Sequence, residues 1–568
     1  MQERSGALLA LLTLLAVAVW ISAARPLNGT LEAESAEIAR QFLKLGDWTV
    51  NHMNGAEDYD KPPLFYWVIA GLKTLSGAPW ELAARLPSLL ALLALVAAFR
   101  AFPTLGERRV SPLLAGALLL ASPKILSMTH TARMDLMLCA LLTLALLAFH
   151  HYWRKRASPK EARRLLLLFY LLLALAVMTK GPVGLILLMV PACLFVLWER
   201  EPARLREILL GRGMALFLLL ALPWFVVTSL VTEGRFFQGF ILDENLSRFG
   251  NLFGSLNFVR FEARPFWQYL PLFFGGFFPW VLLLPGAIHR VLNRPREERG
   301  GTRLLLLYAG WVLLFFSLSG IKRHDYILPI YPVAAWLVAA HLQFFMPLGR
   351  LRAALAATGV LELLLLALLA TLPWWTAAPP VRDLFNTEDL QHAARYAAFL
   401  LAHPAATGAV ALALTLIWLA GVRSSGRGLM VGALLLFQAL FLATLMVTME
   451  EVDSARLETR PYIRAIAREV DDHPLYSYPG WDEEYGFYLD RTIAVVQEPR
   501  RLRALLQEAG PPRYVLMEPE TYRRLFAHEE QRPHRFCRGM PPEHAMLLLS
   551  NRLFAGDDPC PPFREPRP

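Results

Sequence analysis

The sequence predicts an α-helical polytopic membrane protein with a small C-terminal α/β domain. First, its 568 residues are 55% hydrophobic, and the apolar residues form long blocks. Second, Lys and Arg cluster in the short loops between these blocks. Third, a polar segment at 29–67 and a polar tail after 448 stand apart from the blocks. Runs of about 17–25 apolar residues can span a bilayer, and they do so as helices because backbone groups in lipid must bond internally.

Apolar blocks and chain-breaking residues predict about thirteen transmembrane helices. We interpret the first as an uncleaved helix because it lacks a clear small-residue cleavage pattern. The predicted spans lie near 8–24, 85–103, 111–128, 134–151, 165–179, 182–198, 214–231, 271–289, 304–319, 326–345, 353–374, 401–421 and 428–448.

The basic loops predict the orientation of the chain. All of them fall on one side of the membrane if the N-terminus is cytoplasmic, because loops rich in Lys and Arg stay in the cytoplasm. An odd number of spans then places the tail outside. The net charge of +10 resides in these loops, and we therefore expect no nucleic-acid partner.

Two domains follow from this pattern. Residues 1–448 form a membrane domain with an external loop at 25–84, and residues 449–568 form an external domain. In the tail, short β-rich runs alternate with charged helical stretches, as in a small α/β domain. Cys139 and Cys193 lie in apolar runs, whereas Cys537 and Cys560 lie in the tail and are predicted to form a disulfide there.

Acids and cations gather on the predicted outer face. The acids are Glu32, Asp60 and Asp135, and the cations are Lys61, Arg248 and Lys322. Cations of this kind hold phosphate oxygens, and a carboxylate can deprotonate an incoming hydroxyl or amine. Neither a P-loop nor a dinucleotide-binding fingerprint occurs, which argues against a soluble nucleotide-sugar enzyme.

Several motifs resemble the bacterial 4-amino-4-deoxy-L-arabinose lipid A transferases and, more loosely, the protein mannosyltransferase clan of GT-C membrane glycosyltransferases. They occur in order along nearly the whole chain, more weakly in the tail. They are 31–62, Arg133-Met134-Asp135, VMTKG at 177–181, DENLSRF at 243–249, PFWQYLP at 265–271, FPW at 278–280 and KRHDYILP at 322–329.

This resemblance implies an inner-membrane glycosyltransferase with a periplasmic C-terminal domain. The donor would be a polyprenyl phosphate-linked sugar, and the acceptor a lipid A-like envelope molecule. By motif, Glu32 is the base candidate and Asp135 a second functional acid. Lys61, Arg248 and Lys322 match phosphate-binding cations.

The chain departs from the family pattern at four positions. Leu31 replaces the family's usual catalytic Asp, and Glu34 replaces an Arg, so Glu34 is a candidate substrate contact of reversed charge. Asp60 and Asn245 replace a Glu and a His proposed to ligate a metal. Asn is a poor transition-metal ligand beside His, so we expect no bound zinc, and the need for a divalent metal stays open.

Alternatives remain at the level of residues and of function. Asp135 could pair with Arg133 as a structural ion pair, Lys180 could be an interfacial anchor, and Glu37 is interpreted as a helix-surface acid. The alternative functions are glycosylation of proteins or another envelope polymer, a transporter of lipid-linked sugars, and a non-catalytic lipid-binding scaffold. A transporter predicts inverted repeats around a midplane site, which the sequence does not show.

Overall fold

The computed structural model describes residues 2–27, 30–105, 107–155, 157–246, 265–294, 300–319, 322–375, 387–508, 510–526, 533–538, 540–541 and 545–554. The chain folds into two compact units. The first comprises 1–23, 47–51 and 58–449, and the second comprises 24–46, 52–57 and 450–568. The second unit therefore includes part of the predicted external loop as well as the tail.

The helices of the described residues begin with Gln2–Ala24, Thr30–Leu45, Leu64–Ser76, Trp80–Ala98, Pro112–Leu120, Pro123–Thr129, Met134–Arg154, Pro159–Lys180, Val183–Trp198, Ala203–Leu210 and Arg212–Val231. They continue with Tyr269–Gly276, Leu284–Leu292, Gly300–Leu318, Tyr331–Ala340, Leu348–Trp375, Thr387–Ala402, Pro404–Arg423, Arg427–Leu457, Arg460–Val470, Glu483–Leu489, Pro499–Gln507 and Pro519–Phe526. Short 3-10 and π turns are Phe99–Ala101, Phe237–Leu246, Phe266–Gln268, Trp280–Leu283, Leu328–Ile330 and His341–Phe345.

The chain is a multi-pass helical membrane protein, as predicted. Within the described ranges, ten helices are long and apolar enough to cross a membrane, and two bent helix pairs raise the number to twelve. Every predicted span coincides with one of these or with Val183–Trp198, which has only 16 residues. A thirteen-span topology thus requires this short helix and both bent pairs to cross.

Prolines coincide with the breaks in the bent pairs. Pro112–Leu120 and Pro123–Thr129 meet at 81°, and Phe266–Gly276 and Trp280–Leu292 meet at 107°. Pro123 and Pro279 lie at the two breaks, where a residue without an N–H cannot continue the helical hydrogen-bond ladder. Hydropathy predicts that these segments are apolar, but not that they bend.

Apolar packing holds the helices of the membrane unit together. Its core is continuous from Ala7 to Ala443, with Trp280, Trp336 and Tyr308 among the large buried side chains.

Residues at the helix ends have the capping roles that their types favour. The Ser111 hydroxyl accepts the Leu114 N–H ahead of Pro112, and Gly77 ends the helix Leu64–Ser76 at a φ of 64°.

The second unit contains the predicted α/β domain. Its sheet has the order β4-β3-β5-β7-β6, made of Leu475–Tyr478 (β3), Ala494–Val495 (β4), Tyr514–Met517 (β5), His534–Phe536 (β6) and Leu547–Ser550 (β7). β3 pairs in parallel with β4 and β5, and β7 pairs antiparallel with β5 and β6. The remaining strands, Asn51–Met53 (β1) and Ala56–Asp58 (β2), form a two-stranded sheet.

The helix Thr30–Leu45 is anchored inside this second unit. Arg40 donates to the Phe487 carbonyl at 2.7 Å, lies 4.5 Å from the centre of the Phe487 ring and pairs with Glu37. Glu37 is only 4% exposed and also accepts from Gln41, so its interpretation as a surface acid was wrong. Burial of an acid is stable here because a guanidinium neutralises it.

The cysteines separate as the sequence suggested. Cys139 and Cys193 are free thiols in the membrane unit. Cys537 is disulfide-bonded, and Cys560, its predicted partner, lies outside the described residues.

Candidate functional site

A cavity of about 290 Å³ lies among the ends of several membrane helices in the first unit. One wall is apolar and includes Phe240, Phe315 and Phe316. The polar lining residues are Asp60, Lys61, Asp135, Lys180, Ser319, Asp325 and Tyr326. A cavity with an apolar wall and a few convergent charges is the usual form of a small-molecule or lipid site.

Asp135 and Lys180 join two helix ends at this cavity. Arg133 is extended and precedes the helix Met134–Arg154, which places Asp135 in its first turn. Lys180 is the last residue of the helix Pro159–Lys180. Lys180 Nζ donates to Asp135 Oδ1 and lies 4.8 Å from the centre of the Tyr326 ring. The Asp135 carboxylate thus lies at the N-terminus of its helix and the Lys180 ammonium group at the C-terminus of its own. The helix dipole stabilises a negative charge at the N-terminus and a positive charge at the C-terminus.

Gly181 sets the backbone conformation immediately after the helix that ends at Lys180. Its φ is +88°, and its N–H donates to the Val177 carbonyl at 2.6 Å. A Cβ built at this position would lie 2.5 Å from the Phe240 ring. Glycine therefore permits both the helix exit and the close approach of an aromatic residue that lines the cavity.

A second carboxylate, Asp325, organises the other cations. It is 1% exposed, and Lys124 Nζ donates to its Oδ1 at 2.6 Å. Arg133 Nη2 lies 2.6 Å from Oδ2, an ion-pair contact outside hydrogen-bond geometry. His324 Nε2 lies 3.0 Å from Oδ1, and Arg323 Nε lies 3.7 Å from Oδ2.

Arg133 links the two carboxylates, because its Nε also lies 3.4 Å from Asp135 Oδ2. The linked network contains two carboxylates and four Lys or Arg side chains, namely Lys124, Arg133, Lys180 and Arg323. Lys61 adds a further cation to the cavity lining. The cationic excess suits a phosphate group, whose charge would balance it.

The loop before Lys61 is braced by its own polar contacts. Asn51 is 2% exposed and donates to the Lys61 carbonyl at 2.8 Å. Lys61 Nζ donates to the Asp60 carbonyl at 2.9 Å. Burial, and then the charge of Asp60, raise the pKa of Asp58 to about 6, and its buried Oδ2 accepts no hydrogen bond.

The structure brings three predicted site residues together, namely Asp60, Lys61 and Asp135. Lys322 is 6% exposed and donates to the carbonyls of Ser317 at 3.0 Å and Ser319 at 2.7 Å. It thereby binds the carbonyl end of the helix Gly300–Leu318 and is not among the residues lining the cavity.

The remaining predicted residues are Glu32, Glu34, Asn245 and Arg248. Glu32, 5% exposed, and Glu34 lie on the helix Thr30–Leu45 in the second unit. Asn245 lies in the turn Phe237–Leu246. Arg248 falls outside the described residues.

Sequence reasoning missed Lys124 and Asp325 and left Lys180 undecided. Lys180 lies in the motif VMTKG and Asp325 in KRHDYILP, so both were in matching segments without a role. Lys124 interrupts an apolar run, and an ionisable residue within a predicted span is itself a signal of function. Asp135 does pair with Arg133, but Lys180 is its second partner and lies in the cavity.

The sequence leaves open whether a divalent metal is needed. In the ranges that the structure describes, no three His, Cys, Asp or Glu side chains form a group that could hold one. Asp60 lines the cavity beside Lys61.

Comparison with known proteins places this geometry in context. Residues 60–226 match the model of the dolichyl-phosphate-mannose-protein mannosyltransferase family. An undecaprenyl phosphate-alpha-4-amino-4-deoxy-L-arabinose arabinosyl transferase of Enterobacter sp. (strain 638) is 30% identical over 367 residues, 62% of each chain. The protein of the same name from Erwinia tasmaniensis is 31% identical over 318 residues, 55% of this chain and 54% of the relative.

The matched stretches thus span a little over half to about six tenths of the length of these curated relatives. The crystal structure of ArnT from Cupriavidus metallidurans bound to undecaprenyl phosphate superposes with a TM-score of 0.75. It is 22% identical and covers 96% of this chain and 98% of that one. The protein therefore resembles these bacterial arabinosyl transferases in sequence and has the fold of ArnT from Cupriavidus metallidurans.

Proposed function

We propose that this protein transfers a sugar from a polyprenyl phosphate-linked donor to an envelope acceptor, with a lipid A-like lipid as the first candidate. The observation that carries the proposal is the cavity lined by Lys61, Asp135 and Lys180 beside an apolar wall. The wall suits a hydrocarbon chain, and the cationic excess suits its phosphate. The fold shared with a structure bound to undecaprenyl phosphate supports the same donor class.

Each side chain of the site has a separate role in the proposed transfer reaction. Lys61 and Lys180 hold the donor phosphate, with Arg248 as a further candidate. Asp135 orients Lys180, because it accepts a hydrogen bond from that ammonium group. The acceptor oxygen or nitrogen forms a bond to the sugar C1, the C1–O bond to phosphate breaks, and polyprenyl phosphate leaves. The acceptor proton goes to a carboxylate, for which Glu32 is our candidate.

The proposed location is the bacterial inner membrane, with a cytoplasmic N-terminus and a periplasmic C-terminal domain. Basic loops on one side support this orientation. The disulfide at Cys537 also supports an oxidising compartment for the tail.

The decisive experiment is mass spectrometry of lipid A, envelope polysaccharide and envelope proteins from a host with and without the gene. Loss of a pentosamine from lipid A in the deletion supports the arabinose substrate. Loss of a hexose from proteins or a polymer keeps the reaction and changes the acceptor. An unchanged envelope under expressing conditions contradicts transfer and favours a transporter or scaffold. Product formation by purified protein in liposomes separates the last two from an enzyme.

A further inference from the structure

A second cavity of about 260 Å³ lies in the same unit as the first. The two cavities adjoin opposite ends of one candidate span, Leu328–Phe345. Pro329 lines the first cavity, and His341, twelve residues later, lines the second. At 1.5 Å per helical residue this separates them by roughly 18 Å along the span. The second cavity is therefore a separate site and not an extension of the first.

Among the described residues, the ionisable side chains that line this cavity are all basic. They are His289, Arg290, His341 and Arg350. Across the described part of the chain, no salt bridge joins Arg290 or Arg350 to a carboxylate. By contrast, the cations of the first cavity are paired with Asp135 and Asp325. Two guanidinium groups converging without an acid leave a charge that an anion would balance.

The backbone around this cavity also favours an anion. Pro347 lines it and immediately precedes the helix Leu348–Trp375, of 28 residues. The first amide groups of a helix lack internal acceptors and carry the positive end of its dipole. Arg350 lies in that first turn, so its charge adds to that of the helix end.

His341 supplies an unused donor or acceptor. Its Nδ1 is buried and has no hydrogen-bond partner. A Cβ built on Gly286 would lie 3.3 Å from the Cε1 and Nε2 atoms of the same ring. Gly286 therefore allows the helix Leu284–Leu292 to approach the imidazole closely and limits its rotation. This ring nitrogen is therefore available to hydrogen-bond a ligand of the cavity.

Arginines at span ends are common simply because they orient helices. Arg352 fits that description, since it lies on the same helix as Arg350 and donates to the Ser424 carbonyl at 3.0 Å. Arg290, Arg350 and Arg352 are all exposed. Arg290 and Arg350 differ because they line a cavity together with two histidines. This contrast makes Arg352 a matched control.

We propose that the cavity between Arg290 and Arg350 binds a phosphate group, supplied by the headgroup of an anionic membrane lipid or by soluble phosphate. Basic pockets between membrane helices recognise phosphorylated headgroups by this combination of charge and shape. The site is independent of the proposed transfer reaction, and its test does not use activity.

The test compares lipid binding by the full-length protein and its variants. Native mass spectrometry would measure retention of phosphatidylglycerol and phosphatidylcholine by the wild type, by Arg290→Ala/Arg350→Ala and by Arg352→Ala. We expect phosphatidylglycerol to be preferred, and its binding to weaken at least about tenfold in the double variant but not in the control. If the double variant fails to fold, the single variant Arg350→Gln removes one charge while keeping a polar side chain.

Titration with inorganic phosphate distinguishes the two sources. Binding of phosphate that the double variant loses, without preference for phosphatidylglycerol, supports a soluble ligand. Equal retention of both lipids combined with no phosphate binding overturns the proposal. Unchanged binding of phosphatidylglycerol and of phosphate in a folded double variant also overturns it.

Discussion

The ammonium group of Lys180 donates a hydrogen bond to the Asp135 carboxylate, which joins the end of one membrane helix to the start of another. The two side chains are 14% and 5% exposed. An unpaired charge at such a buried position costs free energy, so each residue lowers the cost of burying the other. The pair also places a cation at the wall of the cavity, where a donor phosphate would lie.

The double substitution in this pair should destabilise the protein less than the sum of the two single substitutions. Asp135→Asn or Lys180→Met leaves one buried charge without its main partner, at a cost of roughly 3–5 kcal/mol. Combining them should recover about 0.5–3 kcal/mol through the coupling term. Thermal unfolding of the four proteins in one detergent measures this cycle. Strict additivity would show that the two residues do not stabilise each other.

The same variants distinguish two roles of Asp135. If it orients Lys180, Asp135→Asn should weaken donor binding, by about tenfold for loss of one charge-assisted hydrogen bond. If it acts as a base, kcat should fall while donor affinity stays unchanged. Our assignment predicts the first result, measured as donor affinity and kcat in liposomes.

Asp325→Asn should be among the most destabilising single changes. It removes the main carboxylate partner of Lys124 and of Arg133, and Lys124 has a side chain only 10% exposed. We expect a loss of roughly 3–5 kcal/mol. The control is Glu201→Gln, which breaks an Arg204 pair whose side chains are about one-third exposed and should cost no more than about 1 kcal/mol. Equal shifts in melting temperature would contradict the central role of Asp325.

The raised pKa of Asp58 predicts that the free energy of unfolding falls as the pH rises. Its pKa is raised from 3.8 to about 6 in the folded protein, chiefly by burial. Between these values the folded state keeps a proton that the unfolded state has lost, so unfolding becomes easier with increasing pH. The contribution is on the order of 1–3 kcal/mol. Asp58→Asn should flatten this dependence between pH 4 and 7, whereas Glu57→Gln on the same strand should not. Parallel pH profiles of melting temperature for wild type and Asp58→Asn would refute the prediction.

Gly181→Ala should disturb both the fold and the cavity. The new Cβ would meet the Phe240 ring at 2.5 Å, and φ is +88°. Strain of this kind costs on the order of 1–3 kcal/mol. Gly71→Ala is the matched control because no atom lies within 4 Å of its added Cβ, and alanine favours a helix interior. A melting temperature at or above the wild-type value in Gly181→Ala would be inconsistent with the close packing.

Glu32 and Lys61 test the proposed chemistry at two different steps. Glu32→Gln should abolish transfer in a protein that still folds, because the amide cannot accept the acceptor's proton. Turnover like that of the wild type would exclude Glu32 as the base. Lys61→Ala should mainly weaken donor binding, and an unchanged donor affinity would remove its phosphate role.

The architecture follows largely from the amino-acid sequence. Bilayer thickness makes length and hydropathy sufficient to locate the spans, so each of the thirteen predictions falls on an apolar helix. Alternating β runs and helices likewise predicted the α/β domain, whose sheet the structure contains. The positions of charged residues in the sequence also indicated which segments lie at the membrane surface. The motifs also singled out Lys61 and Asp135, which both line the cavity.

Which charges meet, by contrast, depends on the tertiary structure. Asp325 contacts Lys124, which is 201 residues away in the chain, and Lys180 contacts Asp135 across 45 residues. Lys322 and Lys180 look alike in sequence, yet one binds helix carbonyls and the other lines the cavity. Neither hydropathy nor spacing encodes such pairings, because they depend on how helices pack and where prolines bend them. An ion pair forms only where helix packing brings two charged side chains within a few ångströms of each other. The tertiary structure therefore decides which charges pair.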